Sequence, residues 1–547
     1  MKRAWKTLTV ASLLALTACG GGSKEAEEVK DAPNVLTFNL GADPKSVDPQ
    51  LNSATDGGIV VNNTFEGLMR MNADGIAMPG TAESYEVSED GKTYTFKIRE
   101  DAKWSDGQSV KASDFEYAWK RALDPMVASE YSFQLFYIEG GQDYFNGKAG
   151  VEGVGIKSLD DKTLEVTLVS PTPYFLALTT FYTFMPVRED VVAKKPEGWA
   201  KDPELTVSNG PFVITEYSPS DKIILKPNEN YWSADSVELD EIIFTEVVEA
   251  TTALTAYENG EIDVLTSVPN QDIPRLQLED DTFSIEPYLG TYYYIFNVDK
   301  EPTDNVDVRK ALTYAIDRTA IVEQVTKAGQ KPASGFVPTG LSDSEGNDFR
   351  ETAGDYGISA TADIEKAKEY LAKAGYPDGE GFPTLTLMYN TNESHKAIAE
   401  AVQSMWKKNL GIDVQLMNQE WAVFQDTRHV GNFEIARAGW IGDYADPMTF
   451  LDLWTSYSGN NDAQWKWTTE GKFPENKEYD KAIEDSKVSL GTERDELLHK
   501  AENLLMDNMV TMPIYYYTGT VMVNESVKGW ERDILGTWYL GNVKLDR

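Results

Sequence analysis

The chain has 547 residues, 89 of them acidic and 50 basic, a net charge of −39, and one cysteine. That length allows two or three hydrophobic cores. The acidic excess argues against nucleic-acid binding, which needs basic faces, and one cysteine leaves no internal disulfide or thiolate metal cluster.

Lys2, Arg3 and Lys6 precede a mostly apolar stretch over 8–16, followed by Leu16-Thr17-Ala18-Cys19. Residues 1–18 read as an export signal, and its end resembles the lipobox of bacterial lipoproteins, in which Cys19 is acylated after cleavage. Two acyl chains anchor a protein stably, whereas one binds membranes only marginally. Past this leader no run of roughly 18 apolar residues occurs, so no spanning helix is expected. Residues 19–33 (CGGGSKEAEEVKDAP) are Gly/Ser-rich and then charged, and read as a flexible tether. A short helix over AEEVK is the other reading.

From Asn34 the pattern becomes globular. NVLTFNL (34–40) alternates like a strand, and YTFKI (94–98) is another strand. ASDFEYAWKRAL (112–123) places Phe115, Ala118, Trp119 and Ala122 on one helical face, with Ser113 as its expected cap. Residues 362–374 form an amphipathic helix stopped by Gly375. A strand at 385–389, a helix at 394–410 stopped by Gly411 and a strand at 412–417 then make a β-α-β run, as in a parallel sheet. Phe433-Glu434-Ile435-Ala436-Arg437 alternates as a strand, and Asp446-Pro447 is a helix start. Between them Gly439–Asp443 reads as a strand-to-helix crest. Because Asp446 supplies the cap, Asp443 has no evident structural job and is a candidate to receive a small cation such as a peptide amine.

A series of segments, in order, carries a resemblance: SVDPQ (46–50), FEGL (65–68), AKWSDGQSVKASDFEYAWKRALDP (102–125), SNGPF (208–212), NENYW (228–232), GEID (260–263), DVRKALTYAIDR (307–318), NQEWAVFQDTRH (418–429) and ARAGW (436–440). Over nearly all of the chain past the leader it resembles the oligopeptide-binding proteins, the extracellular solute-binding lipoproteins and periplasmic proteins of peptide ABC importers. The resemblance implies an α/β, two-lobed periplasmic-binding-protein-like fold with an additional inserted domain. By it, lobe I comprises residues 34–65, 188–289 and 518–547, inserted domain II residues 66–187, and lobe III residues 290–517. The triplets Tyr292-Tyr293-Tyr294 and Tyr515-Tyr516-Tyr517 sit where the chain crosses between lobes; strand alternation leaves Tyr293 and Tyr517 facing a ligand.

The same resemblance implies a site. Asp443 matches the acid that salt-bridges a peptide's amino terminus, with Gly439 and Tyr131 as helpers. Arg428, Arg437 and His395 match positions that take the carboxylate of peptides of different lengths. Arg437 also reads as an edge-strand arginine, Arg428 as a surface ion-pair partner and His395 as a helix-start residue. Trp421 and Trp440 match walls of side-chain pockets, completed by Tyr293, Tyr517, Ser53, Thr55 and Ile441; Trp406 and Trp119 read as core. Enteric relatives carry acids where this chain has Ser53 and Ile295, which implies less preference for basic side chains. After Asp263 the family's Tyr-Asn-Asn run is replaced by Leu265-Thr266-Ser267-Val268, so contacts to the middle of a peptide do not carry over.

The expected function is a lipid-anchored receptor outside the cytoplasm that grips the constant parts of peptides, closes its lobes over them and docks on a permease. Separate ATPase subunits would supply the energy, and the receptor is expected to act as a monomer without cofactor or metal. Gly147-Lys148 lacks the rest of a phosphate loop, and no G-x-S-x-G or H-E-x-x-H pattern occurs. A receptor for one signalling or cell-wall peptide is the near alternative. An enzyme with paired carboxylates and a surface adhesion or chaperone protein are the distant ones.

Overall fold

Eleven strands gather into one mixed sheet in the computed structural model, which describes residues 33–72 and 75–547. The export signal, Cys19 and the tether up to residue 32 lie outside the described residues. One half of the sheet runs Val414–Gln419, Leu385–Asn390, Ile435–Ile441; the other runs Val264–Leu265, Val35–Asn39, Glu241–Thr245, Lys222–Pro227, Phe212–Ser218. Two long antiparallel strands, Phe283–Phe296 and Thr511–Val523, join the halves. At about 3.3 Å per residue each is roughly 45 Å long, enough to pass from one lobe into the other. Both tyrosine triplets lie on these strands, where Tyr292 pairs with Tyr515 and their rings stack at 4.8 Å.

The expected β-α-β unit is present. Leu385–Asn390 and Val414–Gln419 pair in parallel around the helix Glu393–Leu410. The Asn392 side chain accepts the His395 N–H at the start of that helix, and Gly411 ends it at φ +76°, a conformation open to glycine at little cost. The helix Ala112–Leu123 also forms as expected, but Ser113 is not its cap. The helix begins at Ala112, so Ser113 lies inside it; Lys111 holds the cap position, and Asp114, the third helical residue, accepts the Lys111 N–H at 3.0 Å. Trp119 and Trp406 are core: their indole N–H groups donate to the carbonyls of Phe184 and Leu312. Residues 82–167 supply a separate four-stranded antiparallel sheet, against whose last two strands that helix packs. Among the described residues no helix is long and apolar enough to cross a membrane.

The quoted motifs turn out to be joints. Asp48 of SVDPQ accepts two parallel bonds from Arg121 at 2.8 Å and one from the Trp199 indole, all buried. Glu66 of FEGL takes the Tyr231 hydroxyl and the Trp232 indole of NENYW, while Asn209 of SNGPF bonds the Glu66 backbone in both directions. Arg309 and Arg318 of DVRKALTYAIDR are buried and donate to carbonyls at Asn508, Met509 and Pro513, fixing their helices beside the strand Thr511–Val523.

A buried ion pair is costly to leave half-made. Asp48→Ala strands the Arg121 guanidinium and is expected to lower the unfolding free energy by about 3–5 kcal/mol, read from urea denaturation. A loss within about 0.5 kcal/mol, the size of an exposed surface change, would contradict the anchoring role.

Candidate functional site

The chain reaches the site along the strand Ile435–Ile441, which pairs over its whole length with Gly290–Phe296. This pairing carries the strand to Ile441, past the crest expected at Gly439, and the turn falls at Gly442 and Asp443. The short helix Met448–Leu451 has Pro447 rather than Asp446 at its cap position; Asp446, one residue earlier, still accepts the Met448 N–H and also pairs with Arg494. All the side-chain and backbone positions named above as site residues line one cavity of about 450 Å³ between the lobes. That volume lies within the range of small-ligand clefts.

Asp443 is 8% exposed and accepts two hydrogen bonds: Tyr131 Oη to Oδ1 at 3.2 Å and Gln134 Nε2 to Oδ2 at 2.7 Å. Its own N–H donates to Thr449. Among the described residues it forms no ion pair. Burial pushes its carboxyl well above the usual 3.8, and the nearby Asp452 carboxylate pushes the same way, while Tyr131, Thr449 and Gln134 oppose. Burial likewise raises Asp452 to about 7 against the pull of Lys487. Two adjacent buried acids cannot both ionise cheaply without a cation. Burial raises the Tyr131 hydroxyl far above its usual value, so it stays a donor.

The three groups expected to take a carboxylate are brought onto the same cavity but differ in charge. Among the described residues Arg437 has no anionic partner: it donates to the Tyr517 hydroxyl at 2.9 Å and to Asn390, its guanidinium lies 4.9 Å over the Tyr292 ring, and its buried Nε meets no acceptor there. Arg428 is already engaged, with Nε on the buried Asp462 at 2.6 Å. His395 is neutral, because burial and then the charge of Arg437 press it well below 6.5; its ring meets the Tyr292 hydroxyl at 3.4 Å.

Trp440 donates its indole N–H to the Thr449 carbonyl and lies 6.1 Å from the Tyr131 ring, while Trp421 is half-buried on the same cavity. Gly439 sits under Tyr517 and Arg437, where any Cβ would overlap the tyrosine hydroxyl. Tyr515 also lines the cavity beside Tyr293 and Tyr517; two residues from Tyr517 on one strand, it shares that residue's face, so the expectation of Tyr517 alone from its triplet is corrected. Gln134 was also missed; only its contact with Asp443, far away in sequence, reveals it. Thr266, Ser267 and Val268, the segment that departs from the resemblance, face the same space. Lys45 bridges Glu130 and Asp426, Tyr174 stacks on Tyr444 at 5.2 Å, and Asn270 donates to Ser394, so contacts cross the cleft on several sides.

Residues 77–462 match the family model described as bacterial extracellular solute-binding proteins, family 5 middle. The chain is 41% identical to the oligopeptide-binding protein OppA of Bacillus subtilis, covering 97% of both chains. The solved complex of Haemophilus influenzae OppA with the peptide RPPGFSPFR is 33% identical, with a TM-score of 0.86 over 94% of this chain and all of that one. The unliganded open form of the murein tripeptide-binding protein MppA is 34% identical and covers 94% of this chain and 97% of its own, yet reaches a TM-score of only 0.61.

An acid whose pKa is raised by folding holds its proton more tightly in the native state. Its contribution is full below the unfolded value and is lost as pH rises through the folded one. In the ligand-free protein the contribution of Asp443 to stability is therefore expected to fall as pH rises above about 3.8. Asp443→Asn should flatten part of the slope of stability against pH in urea unfolding. An unchanged slope would show that Asp443 is ionised without a partner.

Proposed function

The chain belongs to the oligopeptide-binding members of the family 5 bacterial extracellular solute-binding proteins, and from that membership we propose that it is a receptor capturing oligopeptides by their ends. The supporting observation is a pair of buried groups of opposite sign on one cavity, neither with an ion pair among the described residues: the carboxyl of Asp443 and the guanidinium of Arg437. A free peptide carries the complementary pair, an ammonium at one end and a carboxylate at the other. Asp443 accepts the ammonium while Tyr131 and Gln134 hold its two oxygens, and Arg437 with the neutral His395 N–H takes the carboxylate directly or through water. Aromatic walls at Trp421, Trp440 and Tyr517 accept varied side chains without demanding one.

Two-lobed receptors close over their ligands by rigid movement about crossing strands. Greater likeness to a peptide complex than to an open form, and the bonds that span the cleft, support reading this arrangement as closed. We read the lobes as residues 34–65 with 188–289 and 518–547, and 290–517, with 66–187 inserted; the separate four-stranded sheet of residues 82–167 supports the insertion. The closed receptor would deliver its peptide to an ABC permease, held at the membrane by lipid on Cys19.

Calorimetry with a free and an N-acetylated tetrapeptide tests the assignment. Acetylation, and separately Asp443→Asn, should each weaken binding by about 3–5 kcal/mol, roughly 10²–10⁴-fold. Equal affinity for blocked and free peptides would remove the role of Asp443. Likeness to a murein tripeptide-binding protein keeps a dedicated cell-wall-peptide receptor as the second reading. Mass spectrometry of ligands released from purified protein should show a mixture of sequences under the first reading and a single species under the second.

A further inference from the structure

The charged groups on the cavity do not all cancel once the two peptide ends are assigned. Arg428 is neutralised by Asp462, the charge of Arg532 acts on the buried Asp533, and His395 is uncharged. Asp443 and Arg437 answer the ammonium and the carboxylate. One more acid, Asp56, is left over.

Asp56 is the second residue of the helix Thr55–Thr64 and lines the cavity at 8% exposure. Its Oδ2 accepts the Trp421 indole N–H at 3.2 Å from across the cleft. Among the described residues it forms no ion pair, and the charged group acting on it is another acid, Asp43. Burial pushes it up to about 6 against the backbone N–H of Gly57 and the Trp421 donor, so at neutral pH most of it is ionised. Helix-terminal N–H groups and an indole hold a carboxylate in place, but neutral donors do not supply the missing positive charge. Trp421, half-buried on the same cavity, adds an aromatic face, which attracts ammonium and guanidinium groups. No group of three ligating side chains suited to a metal ion occurs among the described residues.

The replacement of acids by Ser53 and Ile295 led to the expectation of little taste for basic side chains. Ile295, however, is buried inside the sheet, while three residues beyond Ser53 the chain places a carboxylate on the cavity. We propose that Asp56 and Trp421 form a subsite for one cationic side chain of the bound peptide, a lysine ammonium or an arginine guanidinium. The inference rests on the peptide-receptor reading and adds a side-chain preference to it. The cavity's unpaired charges then match a zwitterionic backbone carrying one basic side chain.

The test is a set of alanine tetrapeptides in which lysine or its uncharged analogue norleucine is walked through each position, with dissociation constants measured by calorimetry. In the wild type one position should favour lysine over norleucine by about tenfold or more, the worth of one charge-assisted bond. In Asp56→Asn, whose amide oxygen still accepts the Trp421 N–H, that ratio should fall to near one, and Asp56→Glu should restore part of it. A ratio that survives in Asp56→Asn, or the absence of any lysine-favouring position in the wild type, overturns the subsite. If the norleucine peptides bind and lysine gains nothing, only the subsite falls. If no tetrapeptide binds at all, the receptor reading falls and the subsite with it.

Discussion

The contact between Asp443 and the pair Tyr131 and Gln134 links the turn after one strand of the main sheet to the segment bearing the separate four-stranded sheet. It shapes the site and spans the cleft at the same time. A buried carboxylate given only neutral donors is under-compensated, and the neighbouring Asp452 makes this worse. Closure without a cation therefore works against the electrostatics, while closure around an ammonium relieves them. Ligand capture and lobe closure draw on the same interaction.

Arg437 is the counterpart at the other end. It is fixed by Tyr517, Asn390 and the face of Tyr292 rather than by an acid. Neutral groups hold its geometry without cancelling its charge, which suits a ligand that brings its own anion. Arg428, already bound to Asp462, shows the contrasting arrangement a few ångströms of chain geometry can produce from the same residue type. Between these ends the walls are aromatic and polar, with indole and phenol groups whose bonds go largely to the protein itself.

The frame that holds these groups is a pair of strands long enough to belong to both halves of the sheet. Of the tyrosines on them, Tyr292 stacks on Tyr515 while Tyr293, Tyr515 and Tyr517 line the cavity, so the strands serve as both connector and wall. Joints at Asp48 and Glu66 fix the segments around the cavity by buried, multiply bonded carboxylates.

Much of this was legible in the chain itself. Local periodicity and caps placed the helices at 112–123 and 393–410 and the parallel strands beside the latter, since those signals act over a few residues. Motif resemblance brought together the residues that meet on one cavity. What the sequence could not supply was partnership. Gln134 behind Asp443, and the difference between Arg437, held by Tyr517, and Arg428, engaged by Asp462, depend on groups distant in the chain. Asp56 is the clearest case: as a residue in TDGG it reads as an ordinary helix-start acid. Only the folded chain, by burying it against Trp421 with no ion pair among the described residues, makes its charge consequential, because desolvation and pairing are properties of surroundings and not of residue type.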